Sequence, residues 1–400
     1  MQQELEDIKP VLGDFMDTTS NIVNSIPKLF LLCDKSVDRC IVFTDGTEMQ
    51  DLMELIRGIF KNYLSLLNET LKHLRGIANL EIVPLNKTDD QFHDWGESYF
   101  QGALKFLEII NSIISRLENF DQQLKIKFLN CRHIFTSGLK EIRSLKDVNS
   151  FHLTTLEKAQ ALFSYFHKLD DVAYTILSGT HDEYTSLLSN AQLFVFDSMF
   201  FYIKQKLHPI PTMKEWVYEI KTQIPEFSFS PQVYVKLVVE HLLVMRQLLE
   251  PYDSNEAMYL DSSSSVHFVT TKSAVPEQEE EMDIGEVSVP LAQKEAVEEA
   301  NDSEGFASQW IVAIARATMA LYSEKIFQID SLSSYGAFQL SVDINHLLHV
   351  LEVFGVKADP TLGQMATLLK IQTKDEYSKL PPNILTSVIG RKRGWGDGTK

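Results

Sequence analysis

Helix breakers are scarce in this chain, with 13 prolines and 17 glycines among 400 residues, whereas Leu, Ile, Phe, Lys and Glu are plentiful. So few turn-formers ill suit many short strands joined by tight turns, and suit long helices. Cysteine is scarcer still. Cys33, Cys40 and Cys131 lie too far apart for a CxxC pair, and three is the wrong count for a self-contained disulfide framework, so they read as reduced thiols. The chain begins Met1-Gln2-Gln3-Glu4-Leu5-Glu6-Asp7, which lacks the basic stretch and apolar core of a secretory signal, so a cytosolic protein is expected. The sequons at Asn68, Asn86 and Asn301 therefore read as chance matches. Long apolar runs are missing too. The most apolar, Ala191 to Ile203, is broken by Gln192, Asp197 and Ser198 and falls short of the roughly 18 residues that a bilayer crossing needs, so it reads as a buried helix and any membrane association as peripheral. Positive charge is in deficit: a net charge of −18 argues against a nucleic-acid surface. Between Asp253 and Glu304 lie 14 acidic residues and two lysines, a net of −12, which leaves −6 for the other 348 residues.

What is present is helical pattern. Thr47-x-x-Gln50, Thr88-x-x-Gln91, Thr154-x-x-Glu157, Thr212-x-x-Glu215 and Thr373-x-x-Glu376 fit the capping box, in which each side chain satisfies a backbone N–H that the first turn leaves free. Ser230-Pro231 and Asp359-Pro360 place a capping side chain before a proline at the first helical position. From Asp51 to Arg75, Leu52, Leu55, Ile56, Ile59, Tyr63, Leu66, Leu67 and Leu74 recur at three and four, the mark of an amphipathic helix. Similar stripes run from Tyr99 to Leu117, from Leu124 to Ile142, from Leu162 to Leu177, from Pro231 to Leu249, from Phe306 to Asp330 and from Ser341 to Phe354. Gly355 suits a left-handed C-terminal cap after the last of these. No fixed-period repeat is present, so a regular solenoid is not supported.

The expected fold is therefore all-α, an elongated stack of antiparallel helical bundles, since 400 residues are at or beyond the size where a single core divides. Residues 1–252 form a helical bundle region in this reading and 305–389 a C-terminal bundle. Between them, 253–304 reads as an acidic disordered linker, whose serines, prolines and charge leave too little to bury. Residues 390–400, with Arg391, Lys392 and Arg393 among glycines, read as a flexible basic tail.

Candidates for chemistry are few. Asp343, His346, His349 and Glu352 recur at intervals of three, but three residues advance about 300°, so four such positions drift around a helix and cannot all reach one ion. His346 and His349 are close enough to share a zinc, and a helical metal-dependent hydrolase using that pair is the alternative function; the H-E-x-x-H spacing is absent. Asp45-Gly46-Thr47 reads as a turn leading into the next helix. Gly394, Gly396 and Gly398 have no strand before them and no room for a helix after them, so they form no dinucleotide loop. The basic triplet at Arg391 reads as solvated, its three charges giving only weak attraction to anionic lipid. His241, on an apolar stripe, reads as a buried histidine bonded to a backbone carbonyl, and the Phe194 to Phe201 cluster as helix core. The sequence offers no catalytic, cofactor or metal site, and neither a cofactor nor a small-molecule substrate is expected.

Several stretches resemble the family of subunit seven of the conserved oligomeric Golgi complex. They are Trp310 to Met319, Gln328 to Ser333 and Gln339 to Ile344, then Phe196 to Phe200 running on to Ile210-Pro211-Thr212-Met213-Lys214-Glu215-Trp216, with Thr367 to Lys370 and Leu249-Glu250-Pro251 in support. The resemblance runs from about Asn190 to Leu380 and is diffuse before that. It implies the stacked bundles of the CATCHR tethering proteins and a non-enzymatic, peripheral subunit on the cytosolic face of the Golgi. Its role would be the tethering of retrograde vesicles that recycle glycosylation enzymes. The implied partners are subunits five, six and eight of the complex and the vesicle-fusion machinery. Family members extend further at the N-terminus, where assembly helices are expected, so the chain reads as a fragment or short isoform.

Overall fold

The computed structural model describes residues 15–78, 89–135, 140–219, 229–253 and 305–395, and their backbone is overwhelmingly helical. In chain order the helices are α1 (Phe15–Thr44), α2 (Met49–Ala78), α3 (Asp89–Phe135), α4 (Leu156–Leu169), α5 (Ser178–Leu207), α6 (Val233–Leu249), α7 (Phe306–Phe327), α8 (Ser334–Val353), α9 (Pro360–Leu369), α10 (Lys374–Tyr377) and α11 (Ile384–Lys392). Among the described residues no β-strand forms, as expected of a chain with so few turn-formers. Packing divides the chain into two compact units, one drawn from 1–82 and 97–195, the other from 83–96 and 196–400. This division falls at 195, not at the acidic segment. The expected linker lies outside the described residues except for Asp253.

In the first unit α1 and α2 pack as a hairpin. The turn between them places Asp45 and Gly46 at φ 54° and 81°, left-handed values that an L side chain adopts only at a cost. A Cβ on Gly46 would also stand 2.8 Å from the Met49 side chain. On α2 the buried stripe is Met53, Ile56, Phe60, Leu67, Leu71 and Leu74, at spacings of three, four and seven, while Leu55 faces water. The rings of Phe30, Phe60 and Phe120 meet at 5.3, 5.9 and 6.2 Å, joining α1, α2 and α3. Polar ties reinforce them: Ser25 Oγ lies 2.6 Å from the Tyr63 hydroxyl, and Lys127 Nζ lies 2.7 Å from both Asp34 and Asp38.

Two stretches differ from the expected stripes. The segments 99–117 and 124–142 join as one 47-residue helix, α3, because no Gly or Pro falls between Ala103 and Phe135 and Ile110, Ile113, Leu117, Phe120, Leu124 and Phe128 keep the core spacing throughout. Ile142 is buried but lies beyond that helix. The stripe from Leu162 breaks at Leu169, and 170–177 is a connection pinned by side chains. Lys125 Nζ donates to the carbonyls of Asp171 and Tyr174 at 2.5 and 3.2 Å, Arg132 holds Asp170 at 2.7 Å, and Arg57 donates to the Ile176 carbonyl at 2.9 Å.

The second unit is centred on α6, α7 and α8, with α9 packed on α8 and α11 on α9. Trp216 is fully buried in a 3-10 turn, its indole N–H donating to the Ile210 carbonyl at 2.5 Å, and its own carbonyl receives the N–H of Ser333 at 2.7 Å. That approach requires Gly336, since a Cβ there would collide with the Trp216 backbone. Asp253 receives the N–H of Ala307 at 2.7 Å and so caps α7, which puts the two ends of the acidic segment side by side. Asp359 caps α9 and Thr373 caps α10. At the end of α8, Gly355 takes φ 81° and the N–H of Val356 reaches back to the Leu351 carbonyl at 3.1 Å, the left-handed cap that its sequence position predicted.

Candidate functional site

The polar residues singled out by sequence fall at different places. Asp343 is fully buried, and its carboxylate faces the start of α6. It accepts from the Gln232 N–H at 2.9 Å, from the Tyr234 hydroxyl at 2.9 Å and from Gln339 Nε2 at 3.0 Å. Since the Tyr234 proton points at Asp343, the Tyr322 hydroxyl, 3.0 Å away, donates to Tyr234. The start of α6 and α8 thus converge on a single carboxylate, and α7 joins the network through Tyr322. Burial pushes its pKa from the usual 3.8 up to about 6, against the opposing pull of these hydrogen bonds. His346 is half-buried, while His349 and Glu352 are exposed. Burial, then the charges of His349 and Lys236, lower the His346 pKa. Among the described residues no group of three or more His, Cys, Asp or Glu is placed to hold a metal.

His241 is buried, its Nε2 lies 2.9 Å from the Met199 carbonyl, and its ring lies against Tyr202 at 4.7 Å. A carbonyl can only accept, so that nitrogen carries the proton. Phe194, Phe196, Phe200 and Phe201 are buried core. Asp45, Gly46 and Thr47 form the α1–α2 turn, with Thr47 Oγ1 donating to the Thr44 carbonyl at 2.8 Å.

The basic triplet is where composition misled most. Residues 390–395 are the last turn of α11 and the turn that follows it, and two of the cations there fasten them to other parts of the unit. Lys392 Nζ donates to the carbonyls of Phe327, at 2.8 Å, and Ile329, satisfying the C-terminal end of α7. Arg393 is buried, donates to the Ile371 carbonyl and to Ser334 Oγ, both at 3.0 Å, and stacks over Trp395 at 4.0 Å. Gly394 takes the left-handed cap at φ 67°; Gly396 and Gly398 lie outside the described residues. No local signal marks these contacts, because the accepting carbonyls lie more than 20 residues away in sequence.

A cavity of about 360 Å³ opens in the first unit, lined by Leu117, Glu118, Asp121, Thr175, Leu177 and His181 among others. Asp121 at its wall receives the N–H of Leu177 at 2.7 Å, and burial raises its pKa. His181 Nε2 lies 3.0 Å from Glu118. The carboxylate that reaches deepest is therefore occupied in holding the start of α5.

In each of these places a polar group ties one helix to another or closes a helix end. The class so defined is a helical-bundle protein whose buried polar side chains act as interhelical fastenings. The chain belongs to the family Golgi complex component 7, whose model matches residues 1–393. Among its relatives are the conserved oligomeric Golgi complex subunit 7 of Bos taurus, 28% identical over 95% of this chain and 50% of the relative, and that of Homo sapiens, 27% identical over 95% and 50%. That of Arabidopsis thaliana is 25% identical over 89% of this chain and 43% of the relative. No solved structure matches the chain significantly. The chain spans about half the length of the curated relatives it matches. Among the described residues no helix is long and apolar enough to cross a membrane.

Proposed function

We propose that this chain works as a non-enzymatic helical scaffold within the conserved oligomeric Golgi complex. It would act on the cytosolic face of the Golgi in tethering the retrograde vesicles that recycle glycosylation enzymes. The observation that carries this reading is the family match over residues 1–393; the interhelical use of the buried polar groups supports it. Subunits five, six and eight are the proposed partners, with vesicle-fusion machinery as the target of the assembly. Amphipathic helices supply such contacts through a few apolar anchors within charged rims. Depletion of the protein in cells tests the reading. Lectin staining of surface glycans should shift, and re-expression should restore it. Normal glycans after complete depletion would contradict the assignment.

A further inference from the structure

The segment that joins α3 to α4 carries three exposed cations, Lys140, Arg143 and Lys146. It also carries two apolar residues that folding leaves in water, Leu145 at 46% exposure and Phe151 at 96%. The segment is braced: Ile142 and Leu153 are buried beneath it, and Gln160 Nε2 donates to the Ile142 carbonyl at 3.3 Å. Asp147 receives the N–H groups of Arg143 and Ser144 at 3.0 and 2.9 Å, closing the turn that presents Leu145. That acid is thereby turned onto the backbone, and Glu141 stands 3.3 Å from Arg143. The α1–α2 turn lies at the same end of this unit, joined to the start of α4 by the Glu48–Lys158 pair at 2.8 Å and by Gln50 donating to the Ala161 carbonyl at 3.2 Å. Just before that turn Val42 and Phe43 are 75% and 72% exposed.

Single apolar residues on a surface are ordinary; an almost fully exposed phenylalanine on a braced turn among cations is not. A protein interface would present a contiguous apolar centre inside a polar rim. Here apolar tips alternate with long basic side chains, which suits a bilayer surface, where aromatic and leucine side chains enter the headgroup boundary and Lys and Arg reach the phosphates. The net charge of −18 opposes such contact only in part, since −12 of it falls between Asp253 and Glu304, outside this segment.

We propose that this end of the first unit binds an anionic lipid bilayer directly, with Phe151 and Leu145 as apolar anchors and Lys140, Arg143 and Lys146 against the phosphates. This contact goes beyond the assembly reading and does not require it. With so few anchors the binding is weak and reversible, of the kind that needs a second attachment to persist. The test is co-sedimentation of the purified full chain with phosphatidylcholine vesicles, with and without phosphatidylserine. Retention is expected only with phosphatidylserine. Phe151→Asp should weaken it at least about tenfold by removing the aromatic anchor that the bilayer would bury, and Lys146→Gln about fivefold by removing one cation near the surface. Phe151→Trp should strengthen it, since indole favours the membrane interface. Equal retention on neutral and anionic vesicles, or wild-type retention in all three variants, overturns the proposal. Variants that sediment normally but fail to recover a protein partner would assign the surface to a protein instead.

Discussion

Replacing Asp343 by Asn isolates the effect of ionising one buried carboxylate on the second unit. In the folded protein this group titrates at about 6 and in the unfolded chain at about 3.8. Below the lower value both states hold the proton and the site is neutral for stability. As pH rises from there, the unfolded chain ionises first and gains on the folded one, until the folded carboxyl ionises near pH 6 and the difference levels off. The full loss is about 3 kcal/mol, from roughly 2 pKa units at about 1.4 kcal/mol each. About 2 kcal/mol of it falls between roughly pH 4.5 and roughly pH 7.5. Asn keeps one oxygen for the Gln232 N–H and Gln339 and turns its amide toward Tyr234, whose proton can then pass to Tyr322, so the network survives with its donors reversed. Urea unfolding at several pH values, followed by circular dichroism, should therefore show the variant gaining on wild type as pH rises. Any constant offset reports altered hydrogen bonding and leaves the slope as the readout. Identical pH dependence in the two proteins would refute the reasoning, because it would mean that Asp343 ionises as freely inside as in water.

Three further substitutions probe the fastenings of the same unit. Gly336→Ala drives a Cβ into the Trp216 backbone and should lower stability by about 1–3 kcal/mol; an unchanged melting temperature would show that the 214–217 turn can retreat at no cost. Asp253→Ala removes the cap of α7 and should cost about 1 kcal/mol, whereas replacing 255–303 by a short flexible linker should leave melting unchanged, because the ends already meet; a lower melting temperature after that excision would show that the segment contributes packing. Lys392→Met frees the carbonyls of Phe327 and Ile329 and should cost about 1 kcal/mol, read as faster hydrogen exchange at the end of α7.

Signals carried by neighbouring residues were the ones legible in sequence. The Asp359-Pro360 cap, the Thr373 cap and the Gly355 turn need only a few residues to specify them, and each forms where the pattern put it. Where two local options lie close together the pattern slipped: the cap of α4 is Thr155, one residue after the expected Thr154, and α6 begins at Val233, with Gln232 and not Ser230 at its cap. Thr212 and Glu215 fall in two 3-10 turns, because burial of Trp216 fixes the backbone there. The apolar spacing along α2 marks a broader face than the one that packs. Leu55 has the right spacing to be buried, but Met53, Phe60 and Leu71 fill the core, and only the neighbouring helices decide which of two adjacent apolar rows turns inward. The roles of Asp343, Lys392 and Arg393 were out of reach for a plainer reason. Asp343 is tied mainly by groups more than 100 residues away, and the carbonyls held by Lys392 lie more than 60 away, so charge and spacing alone read all three as ordinary surface residues.

The central claim is that this chain serves by holding other subunits of a Golgi complex together. The measurement that tests it most directly is affinity purification of the tagged chain from cells under mild conditions, with quantitative mass spectrometry of what comes with it. Subunits five, six and eight of the conserved oligomeric Golgi complex should be recovered in near-equal amounts with the bait. Recovery of the intact, folded chain without any of them would contradict the account.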